Sequence, residues 1–231
     1  MPHPLDNPIF ESLANRHRPL ALQQGEVLRY PPDIAPFLGV PEEGHDDPAT
    51  LHALVPPGDT VLMLGNMATP PAGWRFEPQV TLVQMACPEP LAEVDGPEVI
   101  ELGDAHHADV LELVALVYPH YFRPQATRLG RYFGIYRDGR LAAIAGERMG
   151  PPGHREVSAV CTHPDFLGLG YSRRLMALLS NDLLRQGLVP FLHVSPANDR
   201  ALALYERIGY RHRARIRFAS LSRPPGMGKP A

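Results

Sequence analysis

The stretch VSAVCTHPDFLGLGYSRRLMALL, residues 157–179, decides the fold. It begins as an apolar strand, continues through a loop that contains a proline, and passes from Gly168-Leu169-Gly170 directly into a helix. Glycines let the backbone approach a ligand closely, and a helix start presents unpaired N–H groups and the positive end of the helix dipole. The stretch therefore predicts a cradle for an anion such as a pyrophosphate. A tight strand-to-helix turn without a ligand is the alternative.

Two other phosphate-binding motifs do not fit this loop. A P-loop requires a lysine after its last glycine, and the loop contains none. The dinucleotide fingerprint G-x-G-x-x-G requires a glycine where Arg173 stands. A nucleotide-binding structural domain stays open as an alternative, and it rests only on Gly168 and Gly170.

The elements around this stretch predict a mixed sheet. RYFGIYRDGRLAAIAGERM (131–149) reads as two strands joined at Asp138-Gly139, and a second turn leads into REVSAVCTHP (155–164). The other predicted elements are a strand at 99–102, a helix capped by Asp104 and ended by Pro119, a helix at 172–186, a strand at 189–194, a helix capped by Asn198, and a final strand within 210–221. Because hairpins outnumber crossovers, this order indicates an α/β protein whose sheet is mixed rather than doubly wound and parallel.

Proline content divides the chain near residue 97, because residues 1–97 hold 17 of the 27 prolines. The apolar runs of this part predict strands at 26–30, 60–65 and 79–87, short helices at IAPFLGV (34–40) and PATLHALV (48–55), and a solvated loop at PEEGHDDP (41–48). We therefore predict a smaller N-terminal α/β domain over residues 1–97, a main domain over 98–222 and a C-terminal tail over 223–231.

Composition excludes several classes of protein. The net charge of −3 gives no general attraction to nucleic acid or to anionic membranes, and no run approaches 18 apolar residues. The N-terminal residues lack the pattern of a signal peptide, and two cysteines, Cys87 and Cys161, cannot form a disulfide framework. We expect a cytoplasmic protein with reduced thiols. We expect no metal site, because His106-His107 lacks partners at a ligand spacing.

A second motif, ANDRALALYERIGY (197–210), places Asn198 and Tyr205 seven residues apart and so on one face of a helix. Taken alone, it reads as an N-cap followed by core residues. HPDFLGLGYS (163–172) followed by N-x-x-A-x-x-L-Y-x-x-x-G-Y (198–210) resembles the GNAT superfamily of acyl-CoA-dependent N-acyltransferases, in particular a bacterial subgroup with an extra N-terminal segment. The resemblance covers about residues 98–222 and includes the order of the elements.

Two positions depart from the usual pattern of the superfamily. Leu167 stands where glutamine or arginine is usual, and Ser172 replaces a glycine or alanine. Serine is small enough to keep the close backbone approach. Leucine removes one polar side chain, so we expect weaker contacts to coenzyme A.

The resemblance implies a GNAT-type acyltransferase fold and transfer of an acetyl group from acetyl-CoA to an amine, by direct attack through a tetrahedral intermediate. It assigns the binding of acetyl-CoA to Val160, Cys161, Thr162, Gly168, Leu169, Gly170, Tyr171, Ser172, Arg173 and Asn198. The backbone N–H of Val160 would polarise the thioester carbonyl. Tyr205 would protonate the departing thiolate, since phenols and alkyl thiols have similar pKa values.

The resemblance also implies a base for the amine, Glu156, which would act directly or through a water molecule. A surface charge at an exposed strand end is the alternative for Glu156, and His193 on the next strand is the rival base. Tyr118, His120, Tyr121 and Phe122 would wall the acceptor pocket, with core packing as the alternative.

The acceptor stays open among small-molecule amines, peptide N-termini and lysine side chains, and so does the oligomeric state. A catalytically inactive acyl-CoA-binding regulatory module is the alternative function. The alternating arginines at 211, 213, 215 and 217 in the basic part from Arg207 onward indicate a solvated strand face. A patch that steers the phosphates of coenzyme A or an acidic acceptor is the alternative.

Overall fold

In the N-terminal part, residues 3–97 form two short α-helices and six strands. The computed structural model describes residues 3–117 and 122–226. Helix α1 (Pro8–Ala14) and helix α2 (Pro48–Leu54) both begin with proline, whose missing N–H is not needed in the first helical turn. The strands are β1 (Leu22–Gln24), β2 (Val27–Arg29), β3 (Leu38–Gly39), β4 (Thr60–Leu64), β5 (Arg75–Pro78) and β6 (Leu82–Ala86).

The expectation of a helix at IAPFLGV (34–40) is wrong, because this segment ends in strand β3. Pro36 favours extended backbone at the residue before it. A Cβ atom on Gly39 would lie 2.7 Å from the backbone of Phe10, so β3 packs directly against α1. The helix predicted at 48–55 is confirmed as α2, whereas the sequence analysis missed α1.

The order of elements predicted after residue 97 is confirmed as far as the helix capped by Asn198, and the predicted final strand is divided in two. The elements are β7 (Ile100–Leu102), α3 (His107–Val117), β8 (Tyr132–Arg137), β9 (Arg140–Glu147), β10 (His154–Thr162), α4 (Tyr171–Arg185), β11 (Val189–Val194), α5 (Asp199–Ile208), β12 (Arg211–Ile216) and β13 (Phe218–Ser222). Asp104 does not cap α3, because a 3-10 turn over Asp104–His106 precedes that helix. Pro119, predicted to end the helix, lies outside the described residues.

Seven strands form one mixed sheet in the order β12-β6-β11-β10-β9-β8-β7. Only β10 and β11 are parallel in this order; each other neighbouring pair is antiparallel. The α/β class and the mixed sheet predicted from the hairpins are therefore confirmed.

The predicted division at residue 97 does not separate the sheets. Strand β6 comes from the N-terminal part and lies between β11 and β12 of the large sheet. Strand β13 comes from the C-terminal part and lies between β4 and β5 of a separate three-stranded sheet. The two parts of the chain thus exchange one strand each. The final segment therefore forms two strands in different sheets, not the single strand that the sequence predicted.

The arginines of this final segment divide into two pairs. Arg213 binds Asp6 at 2.6 Å and Arg217 binds Glu43, so these two fasten the C-terminal strands to the N-terminal part. Arg211 and Arg215 are exposed, which agrees with the predicted solvated face.

Both faces of the large sheet are covered. On one face, Leu175 and Leu179 of α4 pack with Leu192 of β11, and α5 lies beside them. On the other face, Phe191 of β11 packs with Ile9 of α1, while α3 covers β9 and the end of β10. Within residues 3–117 and 122–226, no helix has the length and apolar character needed to cross a membrane.

Candidate active site

Strands β10 and β11 part in the middle of the large sheet. Their parallel pairing joins His154–Glu156 to Val189–Phe191, although β10 continues to Thr162 and β11 to Val194. The ladder between β10 and β9 shifts between Ser158 and Cys161, where Ala159 has a φ of 51°. Such a bulge bends its strand. The sheet therefore has a gap beyond Glu156, with the bulge on one side of it.

The loop after β10 has the features expected of an anion cradle. Gly168 and Gly170 have φ values of 81° and 78°, and a Cβ atom on either would meet nothing within 4 Å. Gly170 is the N-cap of α4 and supplies no capping side chain for the first helical N–H groups. Thr162 and Ser172 share a hydrogen bond of 2.7 Å between their hydroxyl oxygens, which fixes the strand end to the helix start. These residues fit a pyrophosphate.

The side chains of the loop divide between solvent and core. Leu167 and Leu169 are 47% and 58% exposed, and Arg173 is exposed as well. Tyr171 is buried in the core and anchors the first turn of α4. Leu167 can therefore offer an apolar contact to a ligand, where the family pattern offers a polar one.

The residues at the end of β10 that are predicted to contact acetyl-CoA lie on opposite faces of the sheet. Val160 is half-buried and packs against the core beneath α4. Cys161 is buried beside α3. Burial raises the pKa of Cys161 to about 12, so it stays a thiol at neutral pH. Cys161 is therefore a protonated core cysteine rather than a nucleophile.

Helix α5 carries the other two predicted residues. Asn198 is the N-cap, and its side chain accepts a hydrogen bond of 3.1 Å from the N–H of Ala201. Tyr205 is half-buried against the core, with its ring 6.1 Å from that of Tyr210. Asn198 and Tyr205 thus lie on one helix, on the same sheet face as α4.

Glu156 is not an exposed charge at a strand end, and it has several hydrogen-bond partners. Its side chain is fully buried, and each of its oxygens accepts a hydrogen bond of 2.7 Å from the guanidinium of Arg148. Nδ1 of His193 lies 2.7 Å from Oε1 of the same carboxylate. The predicted base and its rival are therefore hydrogen-bonded to each other.

The charge of Glu156 is held by these partners. Burial raises the pKa of Glu156, but Arg148 and then His193 outweigh burial, so the pKa falls from 4.5 to about 2. The carboxylate is ionised throughout the neutral range. Because the folded-state pKa is depressed, its contribution to stability is present above about pH 4.5 and is lost as the pH falls towards 2.

A cavity of about 40 Å³ adjoins the bulge on the face opposite the glycine loop. Its walls come from both parts of the chain and are mainly apolar. They are Ile34, Ala35, Phe37, Val114, Phe122, Ala126, Leu129, Tyr132, Arg148, Ser158, Ala159 and Cys161. Phe122 lines the cavity and also packs against the core beside α3, whereas Tyr118, His120 and Tyr121 lie outside the described residues.

Two residues of the cavity wall, Phe37 and Arg148, were not predicted from the sequence. They contact each other, because the guanidinium of Arg148 lies 5.3 Å from the ring centroid of Phe37. No local motif marks either residue. A larger cavity of about 370 Å³ lies between α4 and residues 93–95, lined by Glu93, Asp95 and Arg185 among others. The lining of that larger cavity includes no residue of β10 or β11, so the smaller cavity is the one beside the gap.

Within the described ranges, no three histidine, cysteine or acidic side chains group in a way that could hold a metal ion.

Comparison with known proteins gives the class of this fold. Residues 132–219 match a family described as FR47-like protein. N-alpha-acetyltransferase RimI of Mycobacterium tuberculosis is 38% identical over 91 residues, which is 38% of this chain and 56% of the relative. The chain thus spans about half the length of this curated relative.

Two solved structures extend the comparison to the whole chain. A GNAT-family protein from Novosphingobium aromaticivorans is 33% identical, with a TM-score of 0.84 over 96% of this chain and 99% of the other. A GCN5-related N-acetyltransferase from Kribbella flavida shares the fold at 18% identity, with a TM-score of 0.59 over 94% and 96%. The chain belongs to the GNAT family of acetyltransferases.

The cradle generates a first prediction. Gly170→Asp places a carboxylate on the open side of the loop, where it would repel a pyrophosphate. We expect the affinity for acetyl-CoA, measured by calorimetry, to fall at least tenfold, about 1.4 kcal/mol. Gly139→Asp is the matched control, because Gly139 also has a positive φ, 74°, with nothing within 4 Å, but lies in the β8–β9 turn. Equal affinities in the two variants would contradict the assignment of the loop.

Proposed function

We propose that this protein transfers the acetyl group of acetyl-CoA to an amine. One observation carries the proposal: the bulge at 158–161 lies between an open glycine cradle on one face of the sheet and a cavity on the other. A donor held by Gly168–Arg173 and an acceptor held in the cavity would meet where β10 and β11 part. The amine could then attack the thioester carbonyl directly, with no covalent enzyme intermediate.

The donor side uses the residues of β10, the loop and α5. The backbone N–H groups from Gly168 to Arg173 would bind the pyrophosphate, and the end of β10, Val160 to Thr162, would lie along the pantetheine arm. Asn198 would contact the same arm from α5. The N–H of Val160 would stabilise negative charge on the thioester oxygen while the amine nitrogen bonds to the carbonyl carbon.

Collapse of the tetrahedral intermediate breaks the C–S bond and leaves a thiolate. We assign the proton that this thiolate takes up to the phenol of Tyr205, which lies on the α4 face near Tyr210. The amine loses one proton in the same reaction, so the products are an N-acetylated acceptor and free coenzyme A.

The acceptor side is set by the cavity. Its walls are mainly apolar, and the one charged side chain in its described lining, Arg148, is neutralised by Glu156. The relative from Mycobacterium tuberculosis is named an N-alpha-acetyltransferase, which supports an α-amine of a peptide or protein as acceptor. A small-molecule amine with an apolar substituent would match the apolar character of the same lining. We place the reaction in the cytoplasm, which fits the buried free thiols of Cys87 and Cys161.

The role of Glu156 as base stays a prediction, and its contacts limit how it could act. A carboxylate with a pKa of about 2 is a weak base, and both of its oxygens already accept hydrogen bonds. The amine would then react in its neutral form, with Glu156 as a fixed negative charge or as a partner through water.

The direct test of the function is release of coenzyme A from acetyl-CoA on addition of amines. Binding of acetyl-CoA without amine-dependent release would instead identify a regulatory module.

Tyr205 provides a second prediction. Tyr205→Phe keeps nearly all the packing area and removes one hydroxyl, so a residue that is only structural would lose about 1 kcal/mol of stability with turnover intact. As a general acid, Tyr205 would instead lose about 10²-fold in kcat with little change in Tm or in acetyl-CoA affinity. Acyl donors with a more acidic thiol should reduce the loss. Normal kcat with an accepted amine would remove the role.

Glu156 provides a third prediction. In Glu156→Gln, the guanidinium of Arg148 loses its buried counter-charge beside the cavity, and we expect kcat/KM to fall about 10²-fold at pH 7 with acetyl-CoA affinity kept. Since the pKa of Glu156 is about 2, the parent profile from about pH 5 to about pH 9 should rise only with deprotonation of the acceptor amine.

The control for Glu156 is Glu147→Gln. Glu147 is also a buried carboxylate held by arginines, Arg131 and Arg16, but it does not line the cavity. Both variants should lower the free energy of unfolding, because each removes the ionised carboxylate from an ion pair between a buried glutamate and arginine. Equal losses of kcat/KM in the two variants would show that Glu156 serves the fold alone.

A further inference from the structure

The exchanged strand β6 places a polar side chain directly opposite His193. In the antiparallel ladder between β11 and β6, the register partner of His193 is Gln84. Gln84 is fully buried, and its Nε2 lies 2.9 Å from Nε2 of His193. The N-terminal part of the chain therefore reaches the buried group that contains Glu156.

Two contacts fix the orientation of the Gln84 amide. Its Nε2 donates a hydrogen bond of 2.9 Å to the carbonyl oxygen of Leu5, which can only accept. Its Oε1 accepts a hydrogen bond of 2.7 Å from Arg213, which can only donate. A flipped amide would place donor against donor at Arg213 and acceptor against acceptor at Leu5. The NH₂ group of Gln84 therefore faces His193.

This orientation fixes the protons of the imidazole. Because Gln84 donates, Nε2 of His193 has to accept and carries no proton. The other nitrogen, Nδ1, then carries the proton and donates it to Oε1 of Glu156 over 2.7 Å. A second proton on Nε2 would face the NH₂ group of Gln84, with no acceptor in that contact.

We propose that Gln84 is a positioning residue that holds His193 in its neutral Nδ1–H tautomer, so that His193 serves Glu156 as a hydrogen-bond donor and does not take the proton of the acceptor amine. The kinetic part of this inference rests on the proposed acetyl transfer. With His193 fixed, Glu156 keeps its charge and holds Arg148 at the wall of the acceptor cavity. The chain Arg213, Gln84, His193, Glu156, Arg148 is then a fixed line of donors and acceptors across the sheet.

The surroundings of this line support a positioning role. Arg213 is the extra residue of a shift in the β12–β6 ladder, and its other nitrogen binds Asp6 at 2.6 Å. Phe191 lies edge-on to the His193 ring at 5.6 Å. The side chain of His193 is 1% exposed. An acceptor amine in the cavity would therefore meet Arg148 before it met the imidazole.

The test reads the imidazole nitrogens directly. In the full-length parent at about pH 7, ¹⁵N NMR of His193 should show a protonated Nδ1 and a bare Nε2, as the two hydrogen bonds of the ring require. Gln84→Glu replaces the donor by an acceptor of the same size, so both nitrogens should carry protons. Gln79→Glu, the same change in the chain before β6, should leave the His193 signals as in the parent. A parent imidazole with a protonated Nε2 would overturn the proposal.

The kinetic arm separates positioning from packing. Once NMR shows both nitrogens protonated in Gln84→Glu, we expect kcat/KM for the amine to fall at least tenfold, with acetyl-CoA affinity unchanged. Parent-like kcat/KM in that state would overturn the role of Gln84 in the reaction. If no amine is acetylated by the parent, the proposed function fails, while the NMR result still decides the tautomer.

A second variant covers failure of Gln84→Glu to fold. Gln84→Met keeps the volume and removes all three hydrogen bonds of the amide, so nothing donates to Nε2 of His193. We expect the ¹⁵N signal of Nε2 to move from its parent position, because this nitrogen no longer accepts a hydrogen bond from Gln84. An unchanged Nε2 signal in Gln84→Met would show that Gln84 does not hold the tautomer of His193.

Discussion

The site depends on the short parallel pairing between β10 and β11. These strands share three register pairs and then part, while each stays paired on its outer side, β10 with β9 and β11 with β6. The pairings with β9 and β6 therefore keep β10 and β11 apart beyond Glu156. Ala159 adopts a positive φ in the bulge, a conformation that costs a non-glycine residue of order 1 kcal/mol and persists only where neighbouring structure enforces it. The ladders on both outer edges provide that enforcement.

The N-terminal part of the chain is a component of the site and not an appendage. It supplies β6, which closes the outer side of β11, and it supplies Phe37 to the cavity wall. Buried His17 also links the N-terminal part to the cavity. The ring of His17 binds Tyr30 at 2.7 Å and the carbonyl oxygen of Leu129, a residue of the cavity wall, at 2.9 Å. Burial and Arg16 lower the pKa of His17 to about 4, so this link stays uncharged at neutral pH.

The local parts of this structure could be predicted from the sequence, and the long-range parts could not. Asp138-Gly139 specifies a hairpin, and Gly168-Leu169-Gly170 before an apolar helical stripe specifies the loop, because turn residues and periodicity act over a few positions. The exchange of β6 and β13 leaves no such signal. A buried apolar run such as QVTLVQMAC suits the middle of either sheet equally well.

The burial of Glu156 could not be predicted from the sequence for the same reason. Its partners Arg148 and His193 stand 8 and 37 residues away, and neither spacing marks a contact in sequence. A charged residue near the start of a strand reads as solvated unless its counter-charges are known. Gln84, 109 residues from His193, is further still beyond any local pattern.

The central claim is that acetyl-CoA binds across the gap between β10 and β11. Hydrogen exchange of the full-length protein, followed by mass spectrometry with and without acetyl-CoA, tests it most directly. The account predicts slower exchange at the amides of residues 160–162 and 168–173, which line the gap and the cradle. Slower exchange confined to residues 93–95 and the outer face of α4, around the larger cavity, would contradict it.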